Sequence, residues 1–206
     1  MRIVDELPFG FGWLDDSSFI RRCSHALAVD GRVWLFDAVA DEPALERVAA
    51  LGEPAGVVQL FNRHGRDNAA IAERLGAPLH VLPQQAPEGA PFEVVPLARN
   101  RLWGEVAAWF PAQRTLVVGE ALGTAQYYRA PAERVGVAAL LRLTPPRRLL
   151  AFEPEHLLVG HGEGLREDVP AAIRDAVDHS RSRIGSWLWA GVRAHGPGGT
   201  HPLRRR

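Results

Sequence analysis

The sequence contains no lysine, so all 24 of its basic residues are arginines. Acidic residues also number 24, which leaves a formal net charge of zero when histidine is neutral. A chain without excess positive charge has no broad electrostatic surface for a polyanion, so we expect neither nucleic acid nor an anionic membrane as a partner. The lack of lysine beside abundant alanine, glycine, proline and arginine is typical of GC-rich codon usage rather than of a function.

Cysteine is almost absent, since Cys23 is the only one. A single cysteine excludes an intramolecular disulfide and a zinc cluster built from cysteines. Long apolar runs are missing too, because no segment approaches the roughly 20 residues that a membrane-spanning helix needs. The first residues carry acids where a signal peptide requires an unbroken apolar core. We therefore expect a cytoplasmic protein.

The length of 206 residues and the hydrophobic content of 47% suit one domain with a sizeable core. No stretch of the chain has the composition of a linker, so we predict a single domain over residues 1–194. The remaining segment, "HGPGGTHPLRRR" (residues 195–206), is predicted to be a flexible tail.

Strand and helix patterns alternate along the first half of the chain. Residues 24–38 predict two strands that meet at the turn Asp30-Gly31, a favoured hairpin pair. The pattern then predicts a helix, a buried strand, a second helix with Asp67 as its N-cap, and a further strand, over residues 42–52, 55–61, 67–76 and 78–82.

The second half of the chain also alternates between strand and helix patterns. Strands are predicted over residues 92–97, 105–111, 114–120, 147–152 and 156–162. Helices are predicted over residues 131–143 and 166–191, with a break in the longer one at Gly185. Two halves that each mix strands with helices favour an α+β fold in which two sheets pack between helical layers.

Three turns that follow apolar strands carry side chains able to bind a metal. The turn at residues 62–68 contains His64 and Asp67, the second contains Glu120, and the third places His161 between two glycines. Turns at the carboxyl ends of strands expose their side chains along one edge of a sheet. We therefore expect these side chains to contribute to a common cleft.

The order of these segments resembles the metallo-β-lactamase fold superfamily. In that family an early strand ends in an aspartate, as "VWLFDA" does at Asp37, and a later strand ends in His-x-His-x-Asp-His, where this chain has "LFNRHGRDN" before a helix that ends in Gly-Ala-Pro. Further along, "RLWGEV" stands in place of His-Thr-Pro-Gly-His-Val, Gly-Glu in place of Gly-Asp, and Gly-His-Gly is intact. The resemblance covers about residues 24–179 and implies a four-layer αββα sandwich.

The ligand motif of the first turn is incomplete in either of two alignments. If Asp67-Asn68 matches the family's Asp-His, the two preceding histidines are replaced by Arg63 and Gly65. In an alignment shifted by one residue, Asn62 and His64 occupy the His-x-His positions, and Arg66 and Asp67 replace Asp-His. The sequence leaves both alignments open.

The later motifs are kept unevenly. Arg101 stands where the family has a further histidine ligand. Glu120 keeps the carboxylate of the bridging aspartate with one more methylene, and His161 matches without change. The resemblance thus implies a degenerate metal site.

Arginine has no lone pair to give a metal, but it neutralises carboxylates that a metal would otherwise neutralise. We therefore predict that Arg63 or Arg66, together with Arg101, pairs with Asp67 and Glu120 in the place of the metal.

Two functions from different classes fit this sequence. We favour a non-catalytic or metal-free protein without a cofactor, whose cleft binds a small anionic ligand, because too few imidazoles remain to hold zinc tightly. The alternative is a hydrolase of ester, thioester, lactone or phosphoester substrates in which His64, Asp67, Glu120 and His161 hold one zinc or other divalent ion and Asp67 is catalytic. In both cases the predicted pocket consists of Asn62, Arg63, His64, Arg66, Asp67, Asn68, Arg101, Glu120 and His161.

The last predicted helix carries Trp187 and Trp189 at positions i and i+2. Two residues at that spacing do not share a helix face, so one of them is expected to lie at the surface. We take a homodimer formed through this helix as a further expectation.

Overall fold

The computed structural model describes residues 1–100 and 102–195, while Arg101 and residues 196–206 lie outside the described part. The strands are β1 (Arg2–Leu7), β2 (Gly10–Leu14), β3 (Cys23–Val29), β4 (Arg32–Phe36), β5 (Glu53–Gln59), β6 (Leu79–Val81), β7 (Glu93–Arg99), β8 (Gly104–Phe110), β9 (Thr115–Val118), β10 (Leu122–Gly123), β11 (Gly136–Val137) and β12 (His156–Val159). The helices are α1 (Glu42–Leu51), α2 (Asn68–Leu75), α3 (Val169–His179) and α4 (Ile184–His195).

The strands form two main sheets and a small ribbon. In the first sheet β1 to β6 lie side by side in chain order; β1 to β4 are antiparallel, and β5 and β6 run parallel to β4. The second sheet has the order β12-β9-β8-β7, and only the β12–β9 pair is parallel. Strands β10 and β11 pair with each other.

The apolar side chains divide into layers. Between the two sheets lie side chains from both, among them Trp34, Phe36, Val58, Phe110 and Val117. The outer face of the first sheet packs against α1 and α2, and the outer face of the second packs against α3. All four residues of β9 are buried, as expected of a strand that is covered on both faces. The predicted four-layer αββα sandwich is therefore confirmed.

The local patterns of the first half produce the predicted elements. Asp30 and Gly31 adopt positive φ angles of 50° and 75° in the turn between β3 and β4. Helix α1 begins after Asp41, whose carboxylate accepts a hydrogen bond from the amide of Ala44 at 3.3 Å. Such a cap stabilises a helix by about 1 kcal/mol because it satisfies an amide that has no partner within the helix.

Two predicted elements of the second half are wrong. Residues 131–143 contain β11 and a short 3₁₀ turn (Ala139–Leu141) instead of an α-helix. A Cβ on Gly136 would lie 2.1 Å from the carbonyl oxygen of Tyr128, so the chain here is packed closely as a strand. Residues 147–152 form a 3₁₀ helix (Arg147–Ala151) instead of a strand, with Pro146 at its N-cap and Leu149 buried beneath it.

The long C-terminal helix is divided, although not at Gly185, which lies inside α4. The chain turns between α3 and α4, where the Ser180 hydroxyl donates to the carbonyl of Arg142 at 3.0 Å. The hairpin formed by β1 and β2 was missed, because its Gly-Phe-Gly-Trp segment lacks alternation of polar and apolar residues. All five residues of β2 are buried, so both of its faces are covered.

No helix in the described part of the chain is both long enough and apolar enough to cross a membrane. Helix α4 ends at His195, so eleven of the twelve residues assigned to the tail fall outside the description. The single domain over residues 1–194 and the flexibility of residues 195–206 stay predictions.

Candidate metal centre

The centre lies where β5, β9 and β12 end, and it takes one ligand side chain from the turn after each strand. His64 follows β5. Strands β9 and β12 are parallel and pair Val118 with Val159, and each valine is followed by a glycine and then by Glu120 or His161. Equal offsets from a paired position bring these two side chains to the same edge of the sheet.

Three potential ligand atoms converge at this edge. His64 Nε2 lies 3.0 Å from Glu120 Oε2 and 3.1 Å from His161 Nε2, and His161 Nε2 lies 2.9 Å from the same Glu120 oxygen. The three residues form one of two groups of potential metal ligands among the described residues. A Cβ on Gly160 would lie 2.2 Å from the carbonyl of Gly119 and 3.2 Å from His64 Cε1, so this close approach requires glycine.

Buried hydrogen bonds fix the ring of His64. Its Nδ1–H donates to Asp37 Oδ2 at 2.8 Å, and Asp37 Oδ1 accepts from the amide of Leu60 at 2.9 Å. The amide of Asn68 donates to the His64 carbonyl at 2.7 Å and accepts from the amide of Ala38 at 2.7 Å. The backbone and the ring of His64 are therefore both held in place.

The ring of His161 is held by its own contacts. Its Nδ1–H donates to the carbonyl of Ile20 at 2.9 Å. Tyr128 stacks on the ring with centroids 5.6 Å apart, and Tyr127 meets it edge-on at 6.0 Å. The Tyr128 hydroxyl is buried and interacts with the Glu120 carboxylate, which helps to hold the pKa of Glu120 below its usual range.

These contacts decide which ring nitrogens carry protons. Because Asp37 and the Ile20 carbonyl can only accept, each neutral ring carries its proton on Nδ1 and turns the Nε2 lone pair toward Glu120. Two lone pairs and a carboxylate oxygen then face one point, which is unfavourable unless a cation, either a proton or a metal ion, lies between them. A carboxylate behind a ligating histidine is also the usual outer partner in zinc sites.

The donor set fits one divalent ion. Two imidazole nitrogens and one carboxylate oxygen form a ligand set known from catalytic zinc sites, which keep a fourth position open. At zinc–ligand distances of 2.0–2.1 Å, neighbouring ligands of a tetrahedral ion lie about 3.3 Å apart. The observed separations of 2.9 to 3.1 Å need only a small expansion to reach that value.

The turn that carries Glu120 is held by a second, fully buried glutamate. Glu105 Oε1 accepts from the amides of Glu120 and Ala121, both at 2.7 Å, and its other oxygen accepts from Trp103 Nε1 at 2.8 Å. Burial raises the pKa of Glu105 to about 7, and the backbone donors oppose that rise. Glu105 thus fixes the backbone from which the ligand carboxylate projects.

The charged groups of the centre shift one another's pKa values. Burial alone would lower the pKa of His64, but the Asp37 carboxylate and the hydrogen bond to Glu120 raise it overall. Burial would likewise raise the pKa of Glu120, yet hydrogen bonds from His161 and His64 hold it well below its usual range. Without a metal ion, a proton shared among these groups is therefore favoured.

Arg66 lies beside the centre and joins both sheets. Its guanidinium donates to the carbonyls of Cys23 and Asp37, both at 2.6 Å, and to the carbonyl of Gly160 at 3.0 Å. The backbone of Arg66 has a positive φ of 41°, which turns the side chain inward. Burial lowers the pKa of Arg66, but a guanidinium remains charged in a protein.

The centre opens into a cavity of about 580 Å³. One part of the wall is apolar or aromatic and another part carries three arginines. The lining residues are Phe19, Ile20, Arg22, Phe61, Arg63, His64, Arg66, Glu120, Tyr127 and His161. Arg63 lies over the rings of Phe61 and Trp103, with centroid distances of 4.9 and 5.4 Å.

Solved structures with the same architecture are metallo-β-lactamases. A structure of DIM-1 metallo-β-lactamase exposed to ceftazidime superposes with a TM-score of 0.58 and 13% identity, and the match covers 88% of this chain and 95% of that one. BLEG-1, a B3 metallo-β-lactamase, superposes with a TM-score of 0.58 and 15% identity over 81% of this chain and 97% of that one. The chain has the metallo-β-lactamase fold. At this level of identity the likeness shows the fold alone, and neither a family model nor a curated protein sequence matches the chain.

Within the metallo-β-lactamase fold, the position of His64 favours one of the two alignments left open by the sequence. His64 contacts both Glu120 and His161, the two residues that the resemblance compares with the family's last two ligand motifs. The alignment that places Asn62 and His64 in the His-x-His positions agrees with this contact. Arg66 then stands in the place of the motif's aspartate.

The remaining predicted pocket residues lie elsewhere or act indirectly. The Asp67 carboxylate accepts from the amide of Ala40 at 2.8 Å, and it makes no side-chain cap on α2. Asn62 is exposed, and Arg101 lies outside the described residues. Arg66 does not form the predicted pair with Asp67 or Glu120. Its guanidinium instead donates to three backbone carbonyls at the place where strands of both sheets meet.

Sequence patterns did not indicate the roles of Asp37, Glu105 and Tyr128 in this centre. Asp37 ends a strand in the sequence pattern, but its contact with His64 spans 27 positions. A glutamate in the otherwise apolar run "GEVAAWF" was a usable indication that Glu105 is buried for a purpose. For Tyr128, the sequence shows only that two tyrosines are adjacent and does not indicate which residue they contact.

Proposed function

We propose that this protein binds one divalent metal ion through His64, Glu120 and His161 and uses it to hydrolyse a small anionic ester, thioester, lactone or phosphoester. This is the alternative of the two functions indicated by the sequence, with Asp67 removed from the ligand set. The observation that supports it is the convergence of two Nε2 lone pairs and one carboxylate oxygen within 3.1 Å.

The surroundings of the ligands support hydrolysis as the reaction. A divalent ion in such a site supplies Lewis-acid polarisation of a substrate oxygen and lowers the pKa of water to near neutrality. Asp37 and the Ile20 carbonyl orient the two imidazoles, and Glu105 holds the Glu120 turn.

The charge of the cavity supports an anionic substrate. Arg22, Arg63 and Arg66 line it, and Arg63 has no carboxylate partner within ion-pairing distance among the described residues. A planar guanidinium on an aromatic face is well placed for two parallel hydrogen bonds to a carboxylate or phosphate. The apolar part of the wall would then contact the rest of the substrate.

A metal-free binding protein is the second candidate, and Arg66 is the observation that favours it. A fixed positive charge beside the centre disfavours a divalent ion. A protonated His64 would satisfy Asp37 and Glu120 without any metal. In that case the arginine-lined cavity would bind a small anion and catalyse nothing.

Metal stoichiometry and hydrolysis together separate the two candidates. The protein is purified without chelator and titrated with zinc and manganese by calorimetry, and hydrolysis of carboxylate-bearing esters, thioesters, lactones and phosphodiesters is followed with each metal. We expect tight binding and metal-dependent turnover in at least one substrate class. Failure of both metals to bind would favour the metal-free candidate, whereas tight binding without turnover would leave a metal-containing binding protein.

Metal affinity should rise with pH. A metal ion competes with the proton on His64, whose pKa lies above the ordinary histidine value of 6.5. Affinity is therefore expected to be weak at pH 5.5, to increase by about tenfold per pH unit for each proton displaced, and to level off above the raised pKa. Calorimetric titration across that range measures this, and an affinity independent of pH would argue against His64 as a ligand.

Two further expectations from the sequence belong with this proposal. On α4, Leu188 and Trp189 are 54% and 43% exposed, while Trp187 donates to the carbonyl of Tyr127 at 2.7 Å. The homodimer through this helix and the cytoplasmic location stay predictions, as does the exclusion of nucleic acid.

A further inference from the structure

A second group of possible ligands, none of which lines the cavity, lies in the N-terminal strands β1 and β3. Asp5, Cys23 and His25 bring a carboxylate oxygen, a thiol sulfur and an imidazole nitrogen together. His25 Nε2 lies 3.1 Å from Asp5 Oδ2 and 3.5 Å from Cys23 Sγ, and the sulfur lies 4.0 Å from the same carboxylate oxygen. We propose that this group is a structural binding site for a divalent metal ion of the zinc type.

The separations agree with a tetrahedral ion. Zinc bonds of about 2.3 Å to sulfur and 2.0–2.1 Å to nitrogen or oxygen place neighbouring ligands about 3.3–3.6 Å apart. Two of the three observed separations lie within 0.2 Å of that range, and a small rotation of Asp5 or Cys23 shortens the third. One thiolate, one carboxylate and one neutral imidazole also balance the charge of a divalent ion.

The backbone around the group is shaped to point these atoms inward. Asp5 has a positive φ of 52°, and the β1–β2 pairing is irregular between Val4 and Leu7. That irregularity turns the Asp5 side chain toward β3, where its other oxygen accepts from the amide of Gly164 at 2.9 Å. The ligand oxygen is thereby held at one orientation.

The His25 ring packs closely against the backbone of β2. Gly12 pairs with His25 across β2 and β3, and a Cβ at this position would lie 3.1 Å from His25 Nε2. Any other residue would press on the His25 ring and displace the proposed ligand nitrogen. Cys23 and His25 are 0% and 2% exposed, so a substrate has no access to the site and its role would be structural, with a water molecule in the fourth position of a tetrahedral ion.

Binding here requires the Cys23 thiol to lose its proton to solvent as the sulfur–metal bond forms. The other centre contains no sulfur, which makes cobalt(II) a probe that separates the two sites. A cobalt–thiolate bond gives an ultraviolet charge-transfer band, whereas nitrogen and oxygen ligands give only weak visible bands. Cobalt chloride is added to the folded full-length chain and, separately, during refolding from urea, because a closed site fills most readily as the strands come together.

We expect the charge-transfer band in the wild-type protein and in His161→Ala, and its loss in Cys23→Ser, which should keep the cobalt bound near His161. Asp5→Asn, which preserves shape and tolerates the positive φ, should require at least about tenfold more cobalt, as expected when a ligand charge is removed. If Cys23→Ser does not fold, the comparison of wild type with Asp5→Asn carries the test. No band under either loading condition, or an undiminished band in Cys23→Ser, would overturn the proposal while leaving the cavity site untouched.

Discussion

Replacing His161 by alanine is expected to abolish tight metal binding in the cavity and, with it, any hydrolysis. In the proposed site the imidazole supplies one of three ligand atoms, and Glu120 and His64 alone would leave too few ligands for a stable site. Changes to the outer partners of metal ligands already weaken binding by about 10–100-fold, so loss of a ligand should cost more than about 100-fold. Calorimetric titration with zinc measures the affinity directly.

The matched control for this variant is His156→Ala. His156 lies in the same strand, β12, and its ring contacts Phe9 at 6.0 Å on a side remote from the cavity. Its removal should leave zinc affinity within about twofold of wild type, since distant substitutions act independently. Equal zinc affinity for His161→Ala and wild type would remove His161 from the ligand set and with it the proposed hydrolase.

Replacing Arg66 by methionine should destabilise the fold and tighten metal binding at the same time. The variant removes three hydrogen bonds to the carbonyls of Cys23, Asp37 and Gly160. Bonds from a charged donor contribute about 1.5–3 kcal/mol each, and the cost of burying the guanidinium offsets part of that. We expect a loss of about 2–4 kcal/mol, measured by urea unfolding of the metal-free protein.

Arg114→Met provides a control with the same backbone and the same kind of contact. Arg114 also has a positive φ, of 43°, and its guanidinium donates to the carbonyl of Glu153 at 2.7 Å, but it is exposed. We expect a change below about 1 kcal/mol there. Zinc affinity should rise in Arg66→Met, because a positive charge beside the site is removed, and stay constant in Arg114→Met. Weaker zinc binding in Arg66→Met would mean that Arg66 supports the ligands instead of opposing the ion.

The layered fold and the three candidate ligands were accessible from the sequence because they depend on local patterns. A buried strand followed by a polar turn is visible in a few residues, and this pattern recurs before His64, Glu120 and His161. The order of the turns then indicated the fold, and the structure brings the three side chains together. The residues that hold the ligands in place, Asp37 and Glu105, could not be identified from local patterns.

What the sequence could not supply are contacts between distant segments. Asp67 resembled a ligand by type and position, but its carboxylate accepts from the amide of Ala40, a contact that spans 27 positions. The group around Cys23 was invisible for a similar reason. Asp5 lies in an irregular strand with no alternating pattern, and its contact with His25 depends on how β1 and β3 lie across β2.

The parallel pairing of β9 with β12 restricts insertions and deletions in these two strands. Val118 and Val159 lie opposite each other, and the two ligands that follow share the same offset. Exchanging one aliphatic side chain for another in either strand preserves that offset. Inserting or deleting a single codon moves one ligand by about 3.3 Å and reverses the direction of its side chain. Lineages that retain the centre should therefore tolerate point changes in these strands while keeping their lengths constant.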